Sequence, residues 1–417
     1  MKDMLGREEA VPLEKAKGLL LRSMDFHLPE EIETEIEDSL GRILSRDIIS
    51  PEDLPAFPRS IVDGFALKSE DTFGAGEIVP VYLNVTHEIL MGEEPTFELK
   101  KGESAKIQTG GMLPYGADGV LMFEHCHTVT EKVIEVLKPV ASGENVIQVG
   151  EDIRKGDTVL EKGHRLRPQD IGALAGLGIT RIWVYERPNV AIISTGDEIV
   201  HPGSPLMLGQ VRDINSYNLA GLIKECGGIP IKKGIFPDDY VVLKNVLEES
   251  LRESDIIVIS GGSSVGTKDL TARLINDLGK PGVLFHGVSI KPGKPMIGAI
   301  VNGKPIFGLP GHPHAVTTCF ELFIAPLLRM LTGERDRLSR KIRRKVKARL
   351  SRNISSGSGR QEYIRVALEE RDGELWAVPI LGKSALITTL LKAEGTIVIP
   401  LGKSGLEQGT EVEVELF

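Results

Sequence analysis

The chain has 417 residues, too many for one compact core, and this length predicts two to four domains. Apolar residues make up 41% and charged residues 26%, a composition typical of a folded, water-soluble protein. A formal net charge of -9 argues against a general nucleic-acid binder, which would carry a basic surface. The 3 cysteines are widely spaced and predict neither a disulfide framework nor a zinc site. We therefore expect a cytoplasmic protein that does not span a membrane.

The first half of the chain predicts two regions of different character. Residues 11–24 have the apolar spacing of a helix, and a proline-rich stretch follows them. From 56 to 149, short β-branched runs alternate with glycine-containing turns, which predicts a mainly β domain. Residues 150–186 return to mixed structure. We expect them to pack beside residues 1–55, which would make the β domain an insertion.

Strands alternate with helices from residue 187 to 333, and this alternation predicts a doubly wound, mostly parallel sheet. Residues 255–260 are so apolar that their strand should lie in the centre of the sheet. Ligands bind such sheets at the carboxyl ends of the strands. A basic linker and an alternating pattern follow, so 334–417 is predicted to be a small β domain.

The stretch SGGSSVGTKD, residues 260–269, directly follows the central strand. Glycine-rich turns in this position bind phosphate or another oxyanion, because their backbone N–H groups can approach the ligand. The common phosphate loop G-x-x-x-x-G-K-S/T is not matched, since Gly266 is followed by Thr267 and then Lys268. The pattern alone therefore leaves open which anion binds.

Charged residues follow the same strands. Glu198, Asp238 and Asp269 all occur in such turns. Carboxylates beside a phosphate site suit a bridging Mg²⁺, although each acid alone is equally typical of a helix cap or turn. In SIKPGKPMIG the prolines and glycine could present Lys291 and Lys294 to a tetrahedral oxyanion, or form an ordinary solvated turn.

Together these motifs resemble those of the molybdopterin molybdenumtransferase family, which includes the MoeA-like enzymes and the gephyrin E domain. The resemblance covers nearly the whole chain. In the family's order, the matching segments are SIVDGFA, QTGGMLPYGADGVL, GEDIRKGDTVLEKG, STGDEI, GQVRDINSYNL, SGGSSVGTKD, IKPGKPMIG, GLPGHP and GRQEYIRV. One glycine turn would be weak support, whereas this ordered set is highly specific.

The resemblance implies a multidomain α/β plus β architecture. Its parts are a split N-terminal region (1–55 and 150–186), an inserted β domain (56–149), an α/β molybdopterin-binding domain (187–333) and a C-terminal β domain (334–417). It further implies an elongated homodimer, with the active site between the α/β domain of one subunit and parts of the other. The implied reaction inserts molybdate into adenylylated molybdopterin and releases AMP with the help of Mg²⁺. Molybdopterin adenylyltransferase and apo-molybdoenzymes are the implied partners.

The resemblance also assigns roles to individual positions. The implied catalytic residues are Asp63, Glu198, Asp238 and Asp269, of which Asp238 and Asp269 would hold Mg²⁺. The residues implied to bind substrate are Ser60, Thr109, Asp152, Ser260, Gly261, Gly262, Ser264, Gly266, Lys291, Lys294, Pro295, Arg365 and Ser384. Within that set, Lys291, Lys294 and Arg365 would collect the molybdate.

Several positions depart from the family's pattern. Residues 147–149 carry no positive charge where some relatives have arginines, and Gly287 stands at a position that can be basic. His312 and His314 replace the more usual Asn and Val or Ser. These differences bear on the affinity for the oxyanion and leave the main motifs intact.

Three alternative functions remain open at this point. Tungstate could replace molybdate, since both oxyanions are tetrahedral and of similar size. An adenylyltransferase could use the same α/β module, although the additional β domains and the KPGKP turn argue against it. A gephyrin-like scaffold is a third reading, but the chain has nothing that resembles the companion domain of such scaffolds.

Overall fold

A computed structural model describes residues 10–261, 265–334, 345–357 and 359–417, and between 265 and 269 it describes the backbone only. The helices of this part of the chain are α1 (Leu13–Ser23), α2 (Pro168–Gly176), α3 (Asn215–Glu225), α4 (Tyr240–Glu253), α5 (Val265–Leu278), α6 (Pro313–Cys319), α7 (Ala325–Leu331) and α8 (Thr388–Leu391). The strands are β1 (Glu31–Glu35), β2 (Ile48–Ile49), β3 (Arg59–Ser60), β4 (Gly64–Leu67), β5 (Val81–Glu88), β6 (Glu103–Ile107), β7 (Gly119–Met122), β8 (Cys126–Thr130), β9 (Val133–Val136), β10 (Val146–Ile147), β11 (Thr158–Leu160), β12 (Arg181–Tyr185), β13 (Asn189–Thr195), β14 (Ile199–Val200), β15 (Val211–Arg212), β16 (Ile229–Phe236), β17 (Ile256–Gly261), β18 (Pro281–His286), β19 (Ile290–Lys291), β20 (Ile297–Val301), β21 (Lys304–Leu309), β22 (Lys345–Leu350), β23 (Ile354–Ser355), β24 (Gln361–Arg371), β25 (Glu374–Pro379), β26 (Gly395–Ile399), β27 (Gly405–Leu406) and β28 (Glu411–Leu416).

The α/β domain is built on a sheet with the strand order β16-β13-β17-β21-β20-β18. β13 runs parallel to both β16 and β17, and β17 runs parallel to β21. The last two strands, β20 and β18, are antiparallel and form one edge. β13 and β17 are buried along nearly their whole length, as their apolar sequences require. The predicted doubly wound, mostly parallel sheet is therefore confirmed.

Helices cover both faces of this sheet. On one face, Leu20 of α1, Leu219 of α3 and Phe320 belong to a single buried cluster. On the other face, Leu247 of α4 and Ile275 of α5 pack against the sheet. Two separate cores result, and they leave the carboxyl ends of the parallel strands free to form a site.

The N-terminal region and the inserted domain form two further units. Strands β1 and β2 pair antiparallel with β12 and β11, so the segments before and after the insertion lie side by side. Between them the chain forms a sheet of order β7-β4-β6-β5-β9-β8. Phe65 and Leu67 of β4 enter one core of this sheet, and Ala66 enters the core on the opposite face.

The C-terminal domain is a small closed β-structure. Its strands follow the order β24-β25-β22-β28-β26, and an additional pairing between β24 and β26 closes the ring. Leu350, Val366 and Val414 fill the interior. Strand β19 of the α/β domain adds to this sheet in parallel with β24. The two domains are thus joined by backbone hydrogen bonds.

A long apolar helical segment, Pro313–Leu331, crosses the core of the α/β domain. It has a mean hydropathy of 1.3 and the length of a membrane span, but 67% of it is buried inside the protein, as in a core helix. The sequence predicts one uninterrupted helix here, whereas the structure has a π-helical turn at Phe320–Ile324. Pro326 follows this turn and lacks the N–H that a regular α-helix needs, which accounts for the interruption.

A second difference concerns the glycine-rich stretch after β17. The apolar pattern predicts a helix from residue 269, but α5 already begins at Val265. Gly266 and Asp269 therefore belong to the first turns of a helix rather than to a loop. The four polar or glycine residues at 266–269 weaken the apolar helical pattern, so the pattern does not show that α5 begins at Val265.

Candidate functional site

A cleft of about 630 Å³ lies between the α/β domain and the C-terminal domain. One wall is the KPGKP turn at 291–295, and a second is the segment at 312–315 before and within α6. The C-terminal domain closes the cleft with Arg360, with residues 362–365 of β24 and with the loop at 380–384. The cleft therefore depends on both domains.

The KPGKP turn is rigidly held. Strand β19 places Lys291 opposite Glu362 of β24, and the N–H of Val288 donates to the carbonyl of Lys294 at 2.9 Å. Gly293 has a φ of +113°, and a Cβ at this position would lie 2.6 Å from Cys319 Sγ of α6. Only glycine fits here, so the turn packs against the helix and presents its lysines outward.

Cationic side chains dominate the cleft, and one buried carboxylate opposes them. The exposed cations that line it are Lys291, Lys294, Arg360 and Lys383. The side chain of Glu362 is only 2% exposed, and its Oε1 accepts a hydrogen bond from Lys291 Nζ at 2.9 Å. A chain with a net charge of -9 therefore has a locally positive cleft that suits an anion.

Arg365 lies in the wall of the cleft, but its side chain has 0% exposure. Its Nη1 donates to Thr396 Oγ1 at 2.6 Å, and its Nη2 donates to Glu321 Oε2 at 3.2 Å. Glu321 lies in the π-helical turn that precedes Pro326. In this arrangement Arg365 acts on the cleft as a positive charge behind its surface.

The loop that carries Ser384 is tied to the start of α6. Ser384 Oγ lies 2.8 Å from His312 Nδ1, and the carbonyl of Ser384 accepts a hydrogen bond from the N–H of His314 at 3.2 Å. His314 is buried, and its Nε2 has no hydrogen-bond partner among the residues that the structure describes. Burial, together with the nearby charge of Arg365, lowers the pKa of His314 to about 4. Its imidazole is therefore neutral at physiological pH.

A second group of predicted residues lies at the carboxyl ends of β13, β16 and β17. The hydroxyl of Thr195 donates to the carboxylate of Asp238. Burial raises the pKa of Asp238, and the hydrogen bond from Thr195 lowers it in part. The negative charges of Asp197 and Glu198 raise the pKa further. Asp197 and Glu198 are thus near enough to Asp238 to raise its pKa, and a bound cation would relieve this repulsion.

The glycine-rich stretch starts at the same edge. Ser260 is buried, and its Oγ lacks a hydrogen-bond partner within the described part of the chain. A Cβ on Gly261 would lie 1.8 Å from the carbonyl oxygen of Thr195, so this position requires glycine. Gly261 also lines a cavity of about 20 Å³ together with Pro295 and Pro310, which in turn line the cleft. The strand edge and the cationic cleft are therefore direct neighbours.

Part of the predicted set cannot be placed. Gly262 and Ser264 lie outside the described residues, and Gly266 and Asp269 belong to the part of α5 for which only the backbone is described. Their contacts, including the Mg²⁺ site at Asp238 and Asp269, stay predictions. Among the side chains that the structure describes, no group of three or more His, Cys, Asp or Glu is arranged to hold a metal ion.

The predicted residues of the first 152 positions lie outside the cleft of their own chain. Asp63 Oδ1 accepts hydrogen bonds from the N–H of Thr109 at 2.7 Å and from its hydroxyl at 2.9 Å, and these bonds lower the pKa of Asp63. Both residues are exposed, as is Asp152. Ser60 is buried, and its Oγ donates to the carbonyl of Val62 at 2.6 Å, which is a structural role in the turn.

The sequence reasoning missed several charged residues of the cleft. Arg360 and Glu362 lie in the GRQEYIRV motif, but the motif assigned a role only to Arg365. Lys383 directly precedes Ser384 and received no role. Glu321 is a lone carboxylate in an apolar helical segment. Because a carboxylate in such a segment needs a partner, its position could have predicted an ion pair.

The chain matches three family models in consecutive order. Residues 11–178 match the MoeA N-terminal region (domains I and II), and residues 191–330 match a probable molybdopterin-binding domain. Residues 347–417 match the MoeA C-terminal region (domain IV). Every part of the cleft lies in the second or the third of these matches.

Relatives of known name match over nearly the whole chain. A molybdopterin biosynthesis protein of Methanocaldococcus jannaschii is 38% identical over 98% of both chains. The molybdopterin molybdenumtransferase of Bacillus subtilis is 31% identical over 99% of this chain and 96% of its own length. A molybdopterin biosynthesis MoeA protein from Pyrococcus horikoshii, whose crystal structure is known, is 42% identical in sequence. The match covers 98% of this chain and 99% of that protein's chain, with a TM-score of 0.81. The chain therefore belongs to the MoeA family of molybdopterin molybdenumtransferases.

Proposed function

We propose that this chain inserts molybdate into adenylylated molybdopterin and releases AMP. The observation that carries the proposal is that the cationic cleft adjoins a small cavity at Gly261, and that the backbone of Gly261 packs on Thr195, whose hydroxyl donates to Asp238. The relatives named molybdopterin molybdenumtransferase and the molybdopterin-binding domain support the pterin as substrate. One substrate could then place its phosphate at the strand edge and its sulfur atoms beside the cleft.

In this mechanism the cleft acts mainly by positioning and by charge neutralisation. Lys291 and Lys294 hold the molybdate next to the two pterin sulfurs, Arg365 adds positive potential from behind the wall, and Ser384 contacts the oxyanion. Two molybdenum–sulfur bonds form, and one molybdate oxygen leaves as water with the two protons of the thiols. No electron is transferred in this step.

The phosphate linkage is cleaved at the strand edge. A water molecule attacks the adenylyl phosphorus, the bond from that phosphorus to the bridging oxygen breaks, and AMP and the pterin phosphate are the two products. Ser260, Gly261 and the following stretch to Gly266 line the pterin phosphate. Asp238 and Asp269 would hold Mg²⁺, which supplies neutralisation of the phosphate charge when bound. Glu198 adds to the negative charge that attracts this cation.

We place the reaction in the cytoplasm and in a homodimer. The exposed pair Asp63–Thr109 and the exposed Asp152 support a dimer, because these residues lie outside the cleft of their own chain and a partner subunit could bring them to it. A molybdopterin adenylyltransferase would supply the adenylylated substrate. Apo-molybdoenzymes would receive the product.

The proposal can be tested by measuring the release of AMP. The purified chain, supplied with adenylylated molybdopterin, molybdate and Mg²⁺, should release AMP. Asp269→Asn should still bind the adenylylated pterin but release AMP at least about a hundredfold more slowly, because the charge at the phosphate linkage is no longer balanced. Glu248→Gln, which removes an exposed carboxylate on α4, is the matched control and should keep the normal rate.

The outcomes separate the candidate functions. Absence of AMP release by the unsubstituted chain would contradict the proposal, and normal release by the Asp269→Asn variant would contradict only the role of Asp269. Replacing molybdate with tungstate tests the metal preference, which no described residue decides. Turnover of ATP with unadenylylated molybdopterin would favour an adenylyltransferase. If the chain neither released AMP with molybdate or tungstate nor turned over ATP, the result would favour a scaffold.

A further inference from the structure

The hydrogen bond between His312 and Ser384 has no part in the mechanism above. His312 Nδ1 and Ser384 Oγ are 2.8 Å apart, and both residues line the cleft with Lys291 and Lys294. His312 is exposed, whereas Ser384 is half-buried. The pair therefore lies where an oxyanion in the cleft can reach it.

The backbone around Ser384 is also fixed. Its carbonyl accepts the N–H of His314 at 3.2 Å, and the N–H of Leu386 donates to the carbonyl of Lys383 at 3.0 Å. These bonds hold the loop against the start of α6. The main freedom left to the Ser384 hydroxyl is the direction of its hydrogen.

That direction depends on His312. A serine hydroxyl has one hydrogen and two lone pairs, and a histidine Nδ1 either donates or accepts. If Nδ1 carries no hydrogen, Ser384 donates to it and turns its lone pairs toward the anion. If Nδ1 carries a hydrogen, His312 donates to Ser384, and the serine can donate its own hydrogen to the anion. A fully deprotonated oxyanion only accepts hydrogen bonds and can therefore use only the second arrangement.

We propose that His312 is a positioning residue for the oxyanion. Its Nδ1–H donates to Ser384 and thereby directs the Ser384 hydroxyl hydrogen onto the ligand. The inference rests on the proposed function, because it takes the cleft as the molybdate site. The preferred ligand class is a tetrahedral dianion without hydrogens. The cations Lys291, Lys294, Arg360 and Lys383 attract such a dianion, and the buried Glu362 is the one carboxylate among the described residues that line the cleft.

The experiment measures binding of sodium molybdate to the full chain by isothermal titration calorimetry. His312→Phe keeps a flat ring but removes the donor, and it should weaken binding about tenfold, the factor that corresponds to one hydrogen bond. His312→Asn keeps an N–H donor near the position of Nδ1 and should stay within about threefold of the unsubstituted chain. His127→Phe, a substitution of an exposed histidine in the inserted domain, is the control and should bind normally.

A double substitution separates this role from a merely structural one. Ser384→Ala should weaken binding as His312→Phe does, and the combination His312→Phe/Ser384→Ala should be no weaker than Ser384→Ala alone, because His312 acts through the serine. Additive losses, or equal binding by the Phe and Asn variants at His312, would overturn the inference. If the unsubstituted chain failed to bind molybdate, the proposed function would fall with it, whereas normal binding that is insensitive to His312 contradicts this inference alone.

Discussion

Glu362 places a buried carboxylate in the wall of a cleft whose exposed charged side chains are cations. It accepts a hydrogen bond from Lys291, a lysine that is itself 56% exposed. The backbone N–H of Gly357 donates to the same oxygen at 3.3 Å. An arriving oxyanion must compete with this carboxylate for Lys291. We therefore expect Glu362 to limit the affinity of the cleft for an oxyanion.

This role predicts the effect of Glu362→Gln. The amide keeps an oxygen that can accept both hydrogen bonds but removes the negative charge, so molybdate should bind about fivefold more tightly, a gain of about 1 kcal/mol. Calorimetric titration with molybdate measures the change. The gain should shrink at high salt, because Lys291 is partly exposed and its charge is screened. Weaker binding by the variant would show that Glu362 supports the site rather than opposing the anion.

At the scale of elements, helix α2 shows how an ionised side chain stabilises a helix start. Asp170 Oδ2 accepts the backbone N–H of Arg167 at 2.8 Å, and Asp170 also pairs with the guanidinium of Arg167 and with His164 Nε2. Burial alone would raise the pKa of Asp170, but the hydrogen bonds from Arg167 and His164 outweigh it and hold the pKa well below its usual range. The ionised form is therefore the one that stabilises the fold.

The sign of this shift fixes the pH dependence of Asp170→Asn. The variant should lower the free energy of unfolding of the N-terminal region by about 2 kcal/mol at pH 7. The difference should stay constant down to about pH 5 and shrink below about pH 4, where the unfolded chain becomes protonated and the contribution of Asp170 is lost. Urea unfolding followed by Trp183 fluorescence in a Trp376→Phe background reports on this region.

A control variant isolates the effect of the helix start. Glu94→Gln removes an exposed carboxylate of the inserted domain and should leave the unfolding midpoint unchanged at every pH. A difference between Asp170→Asn and the unsubstituted chain that grows as the pH falls below about 4 would contradict the assigned shift.

The sequence predicted those structural elements whose formation depends on residues close together in the chain. The alternation of apolar strands with amphipathic helices predicted the parallel part of the α/β sheet, and Lys291, Lys294, Pro295 and Ser384 do line one cleft. The pairing of β19 with β24 was not predictable, because a two-residue strand has no periodicity and its partner lies in another domain. The burial of Arg365 and the contact of Glu321 with it depend on the same long-range packing.

At the scale of the whole molecule, the separation of Asp63 from the cleft predicts complementation between subunits. If one chain supplies Asp63 and the other supplies Asp269 to each site, Asp63→Asn and Asp269→Asn should each be inactive alone. Co-expressed with two different affinity tags, they should regain about a quarter of normal AMP release, because half of the dimers are mixed and half of their sites are intact. Sites built within one chain would give no recovery, and a molecule of one chain mass, 45.4 kDa, in solution would exclude the dimer.

The two-residue strand β19 also determines when the cleft can exist. A ribosome releases the chain from its N-terminal end, and domains generally fold in that order. Lys291 and all strands of the α/β sheet are synthesised before β24. Until Gln361–Arg371 emerges, the lysine turn has no partner strand and the cleft has only the walls of one domain. We therefore expect oxyanion binding in the cleft only after the C-terminal domain has been synthesised.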